Sequence, residues 1–247
     1  MKTTLSLFLL ITFPFLSSAQ TVTEIVKKAD QVVRGKSNRA EMTMKIVKPD
    51  WTREFSMKTW ALGEEYALIY LTAPVRDKGT VTLKRKSEVW NYLPTINKEI
   101  KIPSSMMMQS WMGSDFTNDD LVKESSFVED YDHDILGDST VDGRICWKIS
   151  SVPKPDAAVV WGKIISYISK DGYFQLLAVF YDEDGLAVRK MKNTQIKNAG
   201  NRVIPTVMEI IPLDKPGNRT IMTYQSIFFD EPVKPEFFSQ QNMKKVK

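Results

Sequence analysis

The sequence has one cysteine and one histidine in 247 residues, and these two scarcities exclude a good deal of chemistry. A disulfide within the chain needs two cysteines, and a zinc centre of the Cys/His type needs several such ligands, so neither can form. Phosphate-binding and dinucleotide-binding glycine motifs are missing, as is the G-x-S-x-G turn that presents a nucleophilic serine. No cofactor and no metal is expected. Charge of one sign is also scarce. The 34 Lys and Arg face 30 Asp and Glu, a formal net charge of +4 spread along the chain, and this gives no footprint for nucleic acid. Long apolar runs are absent after the first twenty residues. The run from Leu5 to Leu16 is too short to cross about 30 Å of hydrocarbon, and Pro14 interrupts it.

That early run has another meaning. Lys2 gives a positive start, Leu5 to Leu16 an apolar core, and Ser17-Ser18-Ala19 small residues before a cut at Gln20. The pattern predicts a secretory signal peptide over 1–19 and one domain over 20–247, exported and not lipid-anchored, since no cysteine stands at the cut. Export without a possible disulfide means that the fold must stand on its core. Cys146, between Ile145 and Trp147, is expected to be a buried small hydrophobe and not a reactive thiol.

Next comes one helix. Thr21-Val22-Thr23-Glu24 matches a capping box, and Val22, Ile25, Val26, Ala29, Val32 and Val33 follow at helical spacing up to Gly35. From Arg39 the period changes to two. Met42, Met44 and Ile46 alternate with polar residues, and after Pro49-Asp50 so do Phe55 and Met57. Strand candidates continue to Ile102 and again from Arg144 to Phe229, with short Asp-Gly and Gly-Asn turns. Eleven or twelve strands are expected, mostly antiparallel, in a sheet large enough to curl or close.

Between Pro103 and about Glu124 the alternation stops. Met106, Met107, Met108, Trp111 and Met112 crowd together, followed by Gly113-Ser114-Asp115 and a polar run. Methionine recurs where a surface must fit ligands of variable shape. The segment reads equally as a helix capping the sheet's core and as a ligand-facing lid. His133, flanked by Asp130, Asp132 and Asp134, is the one imidazole base, and it reads best as a strand-edge residue among solvated acids. Two acidic clusters, Asp115/Asp119/Asp120 and Glu129/Asp130/Asp132/Asp134/Asp138, lack calcium-loop spacing and read as solvated loops.

The stretch Met112-Gly113-Ser114-Asp115-Phe116-Thr117-Asn118-Asp119-Asp120-Leu121, preceded by a strand ending Val89-Trp90-Asn91-Tyr92-Leu93-Pro94, resembles the outer-membrane lipoprotein-sorting protein family, the LolA-like group. The Tyr181–Gly185 turn and the Pro205…Met208 strand fit the same pattern. The resemblance implies a strongly curved, incomplete antiparallel β-barrel of α+β class whose concave face is covered by helices. It also implies a non-enzymatic periplasmic carrier of lipid or lipoprotein acyl chains, with an inner-membrane transporter as donor and an outer-membrane acceptor. The lining expected for the pocket is Met42, Met44, Ile46, Phe55, Met57, Trp90 and Tyr92, with Met106, Met107, Met108, Trp111 and Met112 above it. Two alternatives stand beside this reading: an accessory module docked to an inner-membrane lipid transporter, and an envelope-lipid enzyme using His133 as base.

Overall fold

Thirteen strands form one continuous antiparallel sheet, in an order that explains most of what lies on top of it. The computed structural model describes residues 20–118, 120, 127–155, 157 and 159–247. The segment read as a signal peptide, Asp119 and the stretch 121–126 lie outside the described residues. Helix α1 (Val22–Arg34) precedes β1 (Ser37–Val47), β2 (Thr52–Leu62), β3 (Tyr66–Ala73), β4 (Val81–Arg85), β5 (Glu88–Leu93) and β6 (Lys98–Lys101). After a long connector come β7 (Tyr131–Val141), β8 (Arg144–Pro153), β9 (Lys163–Ser169), β10 (Gln175–Tyr181), β11 (Ala187–Ala199), β12 (Arg202–Pro212) and β13 (Arg219–Phe229), then the short helix α2 (Gln240–Met243).

The spatial order is β6-β5-β4-β3-β2-β1-β13-β12-β11-β10-β9-β8-β7. The last strand pairs with the first, so two meanders join at the centre. Strands β6 and β7, consecutive in sequence, become opposite edges, and the sheet is curved but not closed. Thirteen strands at about 4.8 Å spacing would span nearly 60 Å if flat. The connector between β6 and β7 has to cross that width on one face.

Helix α1 forms as its residues dictate. The Thr21 hydroxyl accepts from the Glu24 N–H, and the Glu24 carboxylate accepts from the Thr21 N–H. Gly35 (φ 66°) ends it in the left-handed region. Its apolar stripe, Ile25, Val26 and Ala29, is buried against Ile149 of β8 and Ile168 of β9. Alternation fixes the strand faces. Met42 pairs with Met57 and Met44 with Phe55, so all four point to the face that α1 covers, called inner below.

Two expectations need correcting. The strand beyond those expected is β7: Tyr131 and His133 face inward while Asp132 and Asp134 face outward, so acids that suggested a loop are the wet side of an edge strand. The strand expected over Ile96–Ile102 is shorter, because Pro94–Ile96 forms one 3-10 turn before β6. The tail after β13, for which no element was expected, lies on the outer face, where Phe237, Phe238 and Met243 pack with Leu68, Tyr70, Val81 and Leu83.

Glycine is required at Gly200, in the β11–β12 turn. Its φ is 61°, and an added Cβ would lie 2.4 Å from the Ile227 carbonyl oxygen. Gly143 has a comparable φ of 77° but open space around it. Gly200→Ala should cost about 2–3 kcal/mol and Gly143→Ala about 1 kcal/mol, by strain plus clash against strain alone. Urea midpoints of the two variants check this.

Candidate functional site

The inner face of β1–β3, β12 and β13 carries the largest apolar cluster. Met42, Met44, Ile46, Phe55 and Met57 are buried there with Ala40, Leu71, Ile204, Ile227 and Phe229, and Met222 and Tyr224 pack against the group. Burying each such side chain stabilises the fold by about 1.5–3 kcal/mol. The alternation in the sequence was enough to place all five of the expected β1 and β2 residues in this floor. Trp90 and Tyr92 do not join it. Register sets Trp90 opposite Leu83 and Tyr92 opposite Val81, on the outer face beneath the C-terminal tail. The cause is the parity of the hairpins: the inward positions run from Ile69 to Thr82 to Asn91, each step with an even number of residues between, so the inward set of β5 is odd-numbered, which no single strand's pattern reveals.

The connector from β6 roofs the floor. Trp111 is 2% exposed and is part of the same cluster, with Met112 and Phe116 packed against it. The Trp111 indole N–H donates to the Thr82 hydroxyl (3.2 Å), which in turn donates to the Asn91 side-chain oxygen (2.8 Å). Met106 and Met107 are half-buried, and Met108 is exposed. Over residues 103–117 the segment is not the helix one reading expected but a chain of turns, with 3-10 pieces at Ser104–Met106 and Trp111–Gly113. The reason is side-chain competition for the backbone. The Ser114 hydroxyl donates to the Trp111 carbonyl (2.7 Å), Asp120 accepts from the Thr117 N–H (2.8 Å), and the Asn118 amide donates to the Met106 carbonyl (3.0 Å). Met112 and Gly113, with φ of 54° and 78°, turn the strap back so that the Trp111 N–H meets the Phe116 carbonyl at 2.7 Å.

Two ion pairs pin this strap to the sheet. Lys48 donates to Asp115 at 2.5 Å. The other Asp115 oxygen accepts from the Thr220 hydroxyl (2.7 Å), which accepts the Asp115 N–H (2.9 Å). Arg189 makes parallel bonds of 2.8 and 2.7 Å to Asp120, and its guanidinium lies 4.3 Å from the Trp161 ring centre and 4.2 Å from that of Phe180. These acids therefore do not belong to a solvated loop. Sequence reasoning missed Lys48, Arg189 and Thr220. Asp115 and Asp120 stood out in the motif, but nothing marks their partners, which lie in β11, in β13 and in the turn after β1.

His133 points inward and is 9% exposed, while its acidic neighbours alternate away. Its Nδ1 lies 2.8 Å from the Ser151 hydroxyl and its Nε2 3.3 Å from the Val128 carbonyl. A carbonyl can only accept, so Nε2 carries the proton and Nδ1 accepts from Ser151. Burial pushes the ring's pKa below its ordinary 6.5, against the weaker pull of the Val128 carbonyl. Cys146 is fully buried, and the same desolvation raises its thiol pKa. Among the described residues no three His, Cys, Asp or Glu side chains converge to hold a metal ion. No helix among them is long and apolar enough to cross a membrane.

The GSDF motif thus rides on a strap over a curved, open antiparallel sheet. The model of a protein family described as an uncharacterized protein, "-like", matches residues 63–245. The chain belongs to that family. Its fold is LolA-like. A DUF1329 family protein from Desulfovibrio piger superposes with a TM-score of 0.81 at 23% identity, covering 90% of this chain and 97% of that one. A candidate outer membrane lipoprotein-sorting protein domain from Vibrio parahaemolyticus gives 0.78 at 21%, with 90% and 97% covered. A LolA superfamily protein from Nitrosomonas europaea gives 0.76 at 17%, with 91% and 100% covered. No curated protein matches the chain. The LolA-like fold thus has its open edges at β6 and β7 here, and its inner face is where the strap lies.

Two measurements probe the site. Asp115→Ala strips Lys48 and Thr220 of their partner at once. It should lower the unfolding free energy by about 1–3 kcal/mol, as for a largely buried pair broken on one side, and it should raise amide exchange over 106–118. The neutral His133 gives a pH dependence. The unfolded chain takes up a proton below pH 6.5 that the folded ring resists, so stability is fully present above that pH and falls as the pH drops. In His133→Gln the slope of Tm between about pH 7 and pH 5 should flatten. An unchanged slope would place the acid sensitivity elsewhere.

Proposed function

We propose that this chain is a non-enzymatic periplasmic carrier that holds lipid or lipoprotein acyl chains on its inner apolar face and moves them between the envelope membranes. In this reading the signal peptide is cleaved before Gln20. The donor is an inner-membrane transporter and the acceptor lies in the outer membrane. The observation that carries it is the apolar floor of Met42, Met44, Ile46, Phe55 and Met57, beside which Val32 of α1 packs and over which residues 103–117 lie as a strap of short turns. The likeness of the fold to a candidate lipoprotein-sorting domain supports the same reading.

The physics favours a displaceable roof. Each CH₂ moved from water to an apolar site is worth about 0.8 kcal/mol, so a lipid with two long chains exposed to water would lose on the order of 20 kcal/mol or more. A carrier that gained all of it could never release its load. Here the floor is already packed against Trp111 and Phe116, and an entering chain exchanges one set of apolar contacts for another. Methionine, unbranched and polarisable, accommodates that exchange at low cost. The acyl chain competes with the strap, and the Lys48–Asp115 and Arg189–Asp120 pairs set how hard the strap resists.

Two opposed variants test the reading. Trp111→Ala removes the side chain that an acyl chain has to displace and should speed binding of a fluorescent fatty acid several-fold. Met44→Gln places an amide on the floor and should weaken binding about tenfold, the order expected for a poorly satisfied buried polar group. Circular dichroism of both variants should match that of the unmodified protein. Native mass spectrometry of protein from its own host should find retained lipid. Protein that carries none, and that binds no fatty acid in any variant, would end the carrier reading.

A further inference from the structure

A carrier that loads and unloads at envelope membranes works beside bilayers, and the hairpin tips at the two ends of this sheet differ in what they expose. In the antiparallel order, the turns β1–β2, β3–β4, β5–β6, β10–β11 and β12–β13 all fall at one end of the sheet. Each of these five carries one large exposed apolar side chain: Trp51, Val75, Ile96, Leu186 and Leu213 respectively. Val75 is 91% exposed. At the other end the tips are Gly63-Glu64-Glu65, Lys86-Ser87, Asp142-Gly143, Asp171-Gly172 and Gly200-Asn201, with no large apolar side chain exposed among them.

The five tips run side by side. A Cβ on Gly79, in the β3–β4 turn, would lie 3.2 Å from Pro94 of the β5–β6 turn. One on Gly217, in the β12–β13 turn, would lie 3.4 Å from Pro49 of the β1–β2 turn. Successive tips are two strands apart, about 10 Å. Apolar residues so spaced, with polar residues between them, do not make the contiguous patch that a protein partner would bury. They suit separate insertion into the interfacial layer of a membrane, where tryptophan is favoured.

Charge selects the part of the rim that makes contact. Around Val75 and Ile96 lie the exposed cations Arg76, Lys78 and Lys98, while Asp77 is held by Arg53 at 2.7 Å. The Leu186 turn instead carries Asp182, Glu183 and Asp184. We infer that the rim formed by Trp51, Val75 and Ile96, with Arg76, Lys78 and Lys98, is the surface by which this protein docks on an anionic lipid bilayer. The acidic Leu186 turn tilts away from the surface. This inference rests on the carrier reading for its purpose but not for its test. It also gives the strap a position: Lys48 and Thr220, which hold Asp115, flank this same rim, so the roof is pinned at the end that touches lipid.

The experiment is co-sedimentation of protein purified from its own host with vesicles of phosphatidylglycerol and phosphatidylethanolamine, and with phosphatidylcholine alone. The protein should bind the anionic vesicles, bind them less at high salt, and bind the neutral ones weakly. Trp51→Glu/Val75→Glu/Ile96→Glu should lower the partition coefficient about tenfold or more, with its circular dichroism and its fatty-acid binding in solution unchanged. Ile145→Glu/Val203→Glu, at exposed strand positions near the opposite end, should sediment as the unmodified protein does. Absence of vesicle binding, equal loss in both variants, or no loss in the triple variant overturns the docking surface. Rim-dependent sedimentation by a protein that binds no fatty acid would sink the carrier reading and leave the docking surface standing.

Discussion

The pairing of β13 with β1 is the constraint from which the rest of the structure follows. It joins two meanders at their first and last strands, and so it sends β6 and β7, neighbours in sequence, to opposite edges of one sheet. A connection between two edges cannot run along the ladder. It has to cross a face, and the inner face, apolar over most of its width, is the one that gains from being covered. The strap is therefore no optional insertion. It is the shortest way for this topology to exist.

How the strap is held bears on what it can do. Over 103–117 it has no helix of its own to stabilise it and relies on serine, threonine, asparagine and aspartate side chains bonding nearby backbone. Among the described residues its long-range ties are the Trp111 cluster, the hydrogen bonds to Thr82 and Thr220, and two ion pairs of low exposure. Segments with few long-range ties occupy the low-stability end of a structure and open locally without global unfolding. The sheet beneath is the opposite, with ladder partners on both sides of β1. A rigid floor under a loosely tied roof is the mechanical arrangement that exchange of an apolar cargo requires.

The outer face shows how the fold deals with a second apolar surface. Trp60, Tyr66, Trp90 and Tyr92 lie there beside Leu68 and Leu83 and would form an exposed patch if left bare. The C-terminal tail closes it, with Phe238 fully buried and ring centres 5.3–5.6 Å apart in tilted and edge-to-face pairs. The strap shares the inner face with α1, and the C-terminal tail with its short helix α2 covers the outer one.

The sequence by itself determined whatever has a local cause. Helix α1 with its capping box, nearly every strand, and the inward set Met42, Met44, Ile46, Phe55 and Met57 were legible because periodicity and turn chemistry act within a few residues, while the GSDF segment stood out only by its family resemblance. Strand β7 was obscured by its own acids, whose outward alternation is visible only once an edge is known to exist. Which face Trp90 and Tyr92 occupy, which cations meet Asp115 and Asp120, and which hairpin tips share a rim were decided by the tertiary structure alone. Each depends on register and strand order summed over the whole sheet, and that sum closes only when residue 229 comes back to pair with residue 38.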